Sequence, residues 1–253
     1  MLYDTVKEAV GKLPGRIGVY YKRLNSGESF CVNRDEAFIA ASVIKLPILV
    51  EAFRQAGRGH ISFDQKLMLR QEHKLPGCGV LRHLQEGLEI TLLDACRLMI
   101  IFSDNTATNL LIKLLGMENI NDMIGSLGLQ RTRLNRLLFD EAAEKQGKQN
   151  YFTPREMGVL LEGLYEGRIV SPEASAAMLD ILSRQQMNHK LPYLIPGDVT
   201  IAHKTGEDRG TTHDVGLFLT EDPFILCFAA NDTDVKKTEA VMREVALACY
   251  EVN

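Results

Sequence analysis

The stretch from Phe38 to Arg54 constrains the fold more than any other part of the chain. It starts apolar, turns into a helix near Ser42, and runs with few polar residues until Gly57. Between Val43 and Phe53 only Lys45 and Glu51 carry charge. A helix that is apolar on nearly all sides belongs inside a protein, so the remaining chain has to wrap around it. Pro47 falls near the first turn, where a proline distorts a helix little. The helix also carries chemistry at its start. Lys45 lies three residues after Ser42, and positions i and i+3 share a helix face, so the amine can reach the hydroxyl. A free serine is a weak nucleophile that needs a neighbouring base. A lysine can be that base only if burial or positive neighbours lower its pKa. Unpaired N–H groups at the helix start suit a developing oxyanion. Taken alone, S-x-x-K occurs by chance in many proteins, and a serine cap with a solvated lysine explains it equally well.

The chain of 253 residues is 45% hydrophobic and 25% charged, the balance of a globular protein able to bury a sizeable core. Val6 to Leu13 has a helical apolar pattern stopped by Pro14-Gly15. Ile17, Val19 and Tyr21 alternate as in a strand, and Asn25-Ser26-Gly27 turns the chain into a second strand over 29–32. The middle is helical. Thr91-Leu92-Leu93-Asp94 resembles a capping box opening a helix through Ile101. Helices over 106–115 and 119–127 end at glycines, and Thr153-Pro154 and Ser171-Pro172 open two more. Residues 130–150 hold few apolar groups and read as a long surface loop, a kind that is often functional. Short β-type runs follow at 200–203, 215–219 and 224–229, then a helix over 235–251.

This order predicts an α+β fold. One antiparallel sheet is built from both chain ends with flanking helices, and an all-helical lobe comes from the middle. A single domain is expected over 1–253, with an α/β lobe at about 1–40 and 196–253 and a helical lobe at about 41–195. The net charge of −4 with no basic block argues against nucleic-acid or anionic-membrane partners, and no apolar run approaches a membrane span. The N-terminus lacks the apolar core of a secretory signal, so the chain as written reads as cytoplasmic, or as secreted or periplasmic if a leader has been removed. The five cysteines show no C-x-x-C spacing and read as buried thiols rather than as disulfides or metal ligands. A monomer is expected, with no metal and no cofactor.

Two further motifs join the first. Ser103-Asp104-Asn105 follows the apolar helix segment 98–102, and Lys204-Thr205-Gly206 closes the first of the late strands, where Gly206 lets a substrate backbone come close. S-x-x-K, S-D-N and K-T-G, in that order, are the set shared by class A β-lactamases and penicillin-binding proteins. Pro76-Gly77-Cys78-Gly79-Val80-Leu81 and the run from Met99 to Asn109 also resemble the class A β-lactamases, and the similarity extends over nearly the whole chain. The resemblance implies that Ser42 is acylated by a β-lactam carbonyl, that Lys45 helps to deprotonate it, and that Ser103 passes a proton to the leaving nitrogen. It implies that Asn105 holds Lys45 and the substrate's side-chain amide. Lys204 and Thr205 would bind the substrate carboxylate beside Gly206, and the backbone N–H groups of Ser42 and Glu207 would form the oxyanion hole.

The chain departs from the family pattern at three places. The family's loop carries Arg-x-Glu-x-x-Leu-Asn, whose Glu activates the deacylating water. Here Arg136 is followed by Leu137-Leu138-Phe139-Asp140-Glu141, and a strict count puts an apolar residue at the Glu position. Glu141, or else Asp140, is the expected replacement. Asn150 stands where the family usually has an aspartate pairing the loop arginine. No arginine occupies the family's strand position after the K-T-G turn, and Arg209 or His213 is the expected substitute. Glu207 also sets a carboxylate at the edge of a site for anions. The expected activity is a serine β-lactamase. The alternatives are a DD-peptidase, esterase or penicillin-binding protein that deacylates slowly, and a sensor module that binds without turnover.

Overall fold

The computed structural model describes residues 2–33 and 36–252; Met1, Arg34, Asp35 and Asn253 lie outside it. In chain order the elements begin with α1 (Leu2–Gly11), the hairpin β1 (Arg16–Arg23) and β2 (Ser29–Val32), the short β3 (Phe38–Ile39), a 3₁₀ turn over Ala41–Ile44, and α2 (Lys45–Gly57). A ribbon of β4 (Lys66–Met68) and β5 (Glu89–Thr91) leads into α3 (Leu92–Ile101), α4 (Asn105–Leu115) and α5 (Met117–Ser126). Next come α6 (Glu141–Lys145), β6 (Tyr151–Phe152), α7 (Pro154–Tyr165) and α8 (Pro172–Ser183). Three long strands, β7 (Thr200–Asp208), β8 (Thr211–Leu219) and β9 (Phe224–Asn231), precede α9 (Val235–Glu251).

Both chain ends enter one antiparallel sheet, ordered β2-β1-β9-β8-β7. Every residue of β9 is buried, because each face of the strand meets a different core. Phe224, Leu226, Phe228 and Ala230 pack with Val6 and Val10 of α1 and Met242 and Val245 of α9. Ile225, Cys227 and Ala229 point the other way, into the core that contains α2 and α7. The alternation is the period of two that a strand imposes. Burying each large apolar side chain is worth roughly 1.5–3 kcal/mol.

Helix α2 runs through the second core. Ten of its residues are buried, Lys45 and Glu51 among them. The Glu51 carboxylate is partnered there, accepting from Arg54 Nε and Gln55 Nε2 at 2.6 and 2.7 Å. The Thr91 capping box forms, with the Asp94 N–H donating to Thr91 Oγ1 at 3.0 Å. At α7 only half of the expected box forms. Glu156 N–H reaches Thr153 Oγ1, but its carboxylate turns away to accept from the amides of Arg131 and Thr132.

Three local expectations change. The segment 130–150 is not structureless: it contains α6, and an Arg133–Tyr151 bridge and the β3–β6 pairing close its base. Lys204-Thr205-Gly206 lies within β7, which runs on to Asp208, rather than at a strand end. Helix α7, expected in the helical lobe, packs on the sheet, where Gly158 leaves room for the Tyr20 ring; a Cβ there would sit 2.2 Å from it. Among the described residues no helix is long and apolar enough to cross a membrane. The five cysteines are thiols, three of them buried.

Candidate active site

Ser42 stands in the 3₁₀ turn that joins β3 to α2, not on α2 itself. The turn is reached through Ala41, whose φ of +42° lies in the left-handed region. Ser103 (φ +52°) and Phe139 (φ +58°) share that conformation. For residues with a Cβ it costs of order 1–3 kcal/mol each and tends to gather at functional sites. Ala41 and Phe139 border one cleft, and Ser103 lies buried behind Asn105 in its wall. The cleft's volume is about 380 Å³, and its walls include Ser42, Gly77, Asn105, Leu138, Phe139 and Glu207.

Lys45 is completely buried, and its amine, expected to reach the Ser42 hydroxyl, is held by Ser103 and Asn105. Its Nζ donates to Ser103 O at 2.7 Å, Asn105 Oδ1 at 2.9 Å and Ser103 Oγ at 3.0 Å. Burial, and then the nearby charge of Lys204, push its pKa well below the usual lysine value. Lys204, also buried, donates to the same Ser103 Oγ at 3.1 Å and to Thr205 O at 2.9 Å. Burial brings its pKa down to about 7, against the opposing pull of Asp214. A hydroxyl has two lone pairs and one proton. Both lone pairs of Ser103 accept from lysines, so its proton is left to donate elsewhere.

Asp104 holds this corner together. One carboxylate oxygen caps α4 through the Ala107 amide, and the other accepts from the amides of Val80 and Leu81 at 2.7 and 2.8 Å. The approach is so close that Gly79, at φ +112°, could carry no Cβ. Asn105 holds Lys45 as expected, while its Nδ2 donates to Pro76 O at 2.9 Å, across the cleft. Gly206 serves a purpose that differs from the expected one. A Cβ on it would meet His213 at 2.9 Å, Val43 at 3.1 Å and Ala40 O at 3.3 Å, so its absence seats β7 against the Ser42 turn rather than making room for substrate. The Thr205 hydroxyl faces Met187 Sδ at 3.5 Å, at the mouth of the 187–190 loop.

The loop facing the site is tied down by amides. Asn109 Nδ2 donates to Leu138 O at 2.9 Å, and Leu138 N–H donates to Asn109 Oδ1 at 3.0 Å. Asn150 Oδ1 accepts from the amides of Asn135 and Arg136, which grip the backbone where an aspartate was expected to grip the arginine side chain. The Arg136 guanidinium instead meets Gln149 Oε1 at 2.9 Å and Glu144 at 3.7 Å.

Glu141 is not brought to Ser42. Its side chain is 82% exposed, 3.8 Å from Lys145, and outside the cleft lining. As the first residue of α6 it lies on the solvent side of that helix. Asp140 is spent as the α6 cap, accepting from the Ala143 amide at 2.9 Å. Glu144 is the carboxylate of this loop that lines the cleft.

His213 is not the missing cation either. It is buried, its pKa falls to about 3 through burial, and its ring bridges Ile39 O and the Ala230 amide. The cation that does stand at this edge is Lys190, which the sequence reading passed over. It is fully buried and 3.1 Å from Glu207 Oε1. Its segment, Asn188-His189-Lys190-Leu191, carries no motif. Among the described residues no group of three or more His, Cys, Asp or Glu is placed to hold a metal.

Comparison with known proteins agrees with this fold. The profile of the β-lactamase enzyme family matches residues 1–252. A β-lactamase of Rhodobacter capsulatus is 27% identical over 93% of this chain and 82% of its own. The crystal structure of a β-lactamase from Sphaerobacter thermophilus superposes with a TM-score of 0.90 at 33% identity, covering 99% of this chain and 96% of that one. A structure of PBP-A superposes equally well, with a TM-score of 0.90 at 30% identity over 99% of this chain and 95% of that one.

Proposed function

The chain belongs to the β-lactamase enzyme family, and on that premise we infer that it is a serine β-lactamase, opening the β-lactam amide through an acyl-enzyme on Ser42. One observation carries the reading: two buried lysines converge on the hydroxyl of Ser103, whose motif partner Asn105 lines the cleft together with Ser42. Lys45, with its pKa lowered by burial, takes the Ser42 proton as the oxygen attacks the carbonyl carbon. Amides of the Ser42 turn and of β7 receive the oxyanion. As the ring C–N bond breaks, the nitrogen takes the Ser103 proton, and a lysine returns one to Ser103. Lys204 and Thr205 bind the substrate carboxylate by charge and hydroxyl.

Hydrolysis of the acyl-enzyme then needs a base on the loop. Glu144 supports that role better than Glu141, because it lines the cleft with Ser42. A second reading, a slowly deacylating enzyme of the DD-peptidase or penicillin-binding type, draws on the apolar Leu138 that Asn109 clamps at the cleft. The whole-chain family match outweighs it. We read the protein as a monomer acting on small molecules, without a nucleic-acid partner.

The test is time-resolved mass spectrometry with benzylpenicillin, followed by peptide mapping. The expected result is a transient adduct on the peptide containing Ser42, with hydrolysed product released. An adduct on Ser103, or hydrolysis with no adduct on Ser42, overturns the assignment. An adduct that persists for hours selects the second reading.

A further inference from the structure

Lys190 is a buried cation that the acylation chemistry leaves unused. Its ammonium has three donors. Two distances lead to backbone carbonyls that the sheet fixes in place, Gly206 O at 3.0 Å and His213 O at 3.3 Å. The third leads to Glu207 Oε1 at 3.1 Å. Glu207 differs from the other two partners because it is a side chain at the cleft edge, 37% exposed, and it also meets His189 at 3.2 Å. It sits on β7 two residues beyond Thr205, so both side chains leave the same face of the strand. The third Lys190 donor therefore points to the cleft edge, on the strand face that Thr205 shares, and a carboxylate of the protein already occupies it.

We propose that Lys190 is a latent second cation of the substrate-carboxylate site, masked by Glu207, which competes with the substrate carboxylate for the same donor and so restrains acylation by anionic β-lactams. The inference rests on the acyl-serine reading above. The pair is built for such an exchange. Glu239 lies 3.8 Å from Lys190, is anchored by Thr212 and has Arg243 at 3.7 Å, so the buried ammonium keeps a counter-charge when Glu207 leaves. Opposite charges matched across a contact set which partner binds and how fast. Here the choice lies between an internal carboxylate and an external one.

The experiment measures the second-order acylation rate at Ser42 by mass spectrometry, using benzylpenicillin and its neutral methyl ester. Glu207→Ala is expected to raise the benzylpenicillin rate about tenfold while moving the methyl ester by about twofold or less. Adding Lys190→Met should erase the gain, and adding Lys190→Arg, which keeps a donor and a charge, should retain most of it. No gain in Glu207→Ala overturns the proposal, as does an equal gain with both substrates. A gain that survives Lys190→Met overturns it too, since relief of repulsion alone would then explain it. If Lys190→Met fails to fold, Glu207→Gln decides: its amide oxygen still accepts from Lys190 but carries no charge, so a gain as large as that of Glu207→Ala overturns the proposal. Absence of any Ser42 adduct in the unmodified protein would instead overturn the acyl-serine reading itself.

Discussion

The three-motif cluster and the facing loop 136–150 border the same cleft but are built in opposite ways. Lys45, Ser103, Asn105 and Lys204 are buried on α2, α4 or β7 or at the α3–α4 junction, and each is held by named partners. The loop exposes Phe139, Glu141 and Lys145, and it keeps its shape through the side-chain amides of Asn109, Gln149 and Asn150. Groups on rigid elements hold catalytic geometry better than groups on loops. The acylating half of the reaction is thus preorganised, whereas the hydrolytic half depends on how a polar loop is held. Position within the loop also matters more than residue type: Glu141 and Glu144 are both carboxylates on one five-residue helix, yet one faces solvent and the other the cleft.

The largest expected effect is in the cluster. Ser42→Ala should form no adduct, and Lys45→Arg should slow acylation by about 10²–10⁴-fold, because a guanidinium cannot serve as the base. Thermal melting of Lys45→Arg separates lost chemistry from lost folding. Acylation near the unmodified rate would break the idea that the cluster is preorganised for Lys45 to act as the base.

In the loop, Glu144→Gln should acylate normally and then accumulate adduct, with deacylation slowed by about 10²-fold. Glu141→Gln should deacylate at the unmodified rate. The reverse outcome would mean that α6 rotates in the acyl-enzyme and that the contrast drawn here fails. Time courses of adduct mass decide between the two.

The pH profile gives a smaller effect. With its pKa at about 7, Lys204 is cationic below that pH and neutral above it. The KM for an anionic β-lactam should therefore rise above pH 7, by about tenfold per pH unit at the limit. Lys204→Arg should abolish this rise, since arginine stays charged. A profile for Lys204→Arg that still turns near 7 assigns the limb to another group.

The smallest effect concerns the loop's anchor. Asn109→Ala removes both bonds to Leu138, and at a net 0.5–1.5 kcal/mol each the loop should lose about 1–3 kcal/mol of local stability. Faster hydrogen exchange at the Leu138 amide, with acylation changed only a few-fold, is the expected result. A large fall in acylation would show that loop and cluster are coupled rather than separate.

The readable parts of the sequence were those where local pattern and tertiary role coincide. The apolar run after Ser42 could only be a central helix, and the alternating strands at both ends could only share a covered sheet. The three motifs were readable because each spans only three or four consecutive residues, even where it crosses from one element to the next. Helix boundaries such as 235–251 followed from pattern and caps. Glu141 was misplaced because a loop count carries no direction: one turn along a short helix separates a solvent carboxylate from a cleft carboxylate. Gly206 was rightly marked but for the wrong neighbour, because close approach is visible in a sequence only as a missing side chain.

The sequence by itself determined the class of fold and singled out Ser42, Lys45 and Lys204 as the candidate machinery, since these depend on residue types at short separations. Only the tertiary structure decided which charges face one another over long separations: Lys45 and Lys204 on one Ser103 oxygen, Leu138 in the grip of Asn109, and Lys190 behind Glu207. The physical reason is desolvation. Burial sets the pKa of a lysine and the strength of its contacts, and burial belongs to the packed molecule rather than to any stretch of chain.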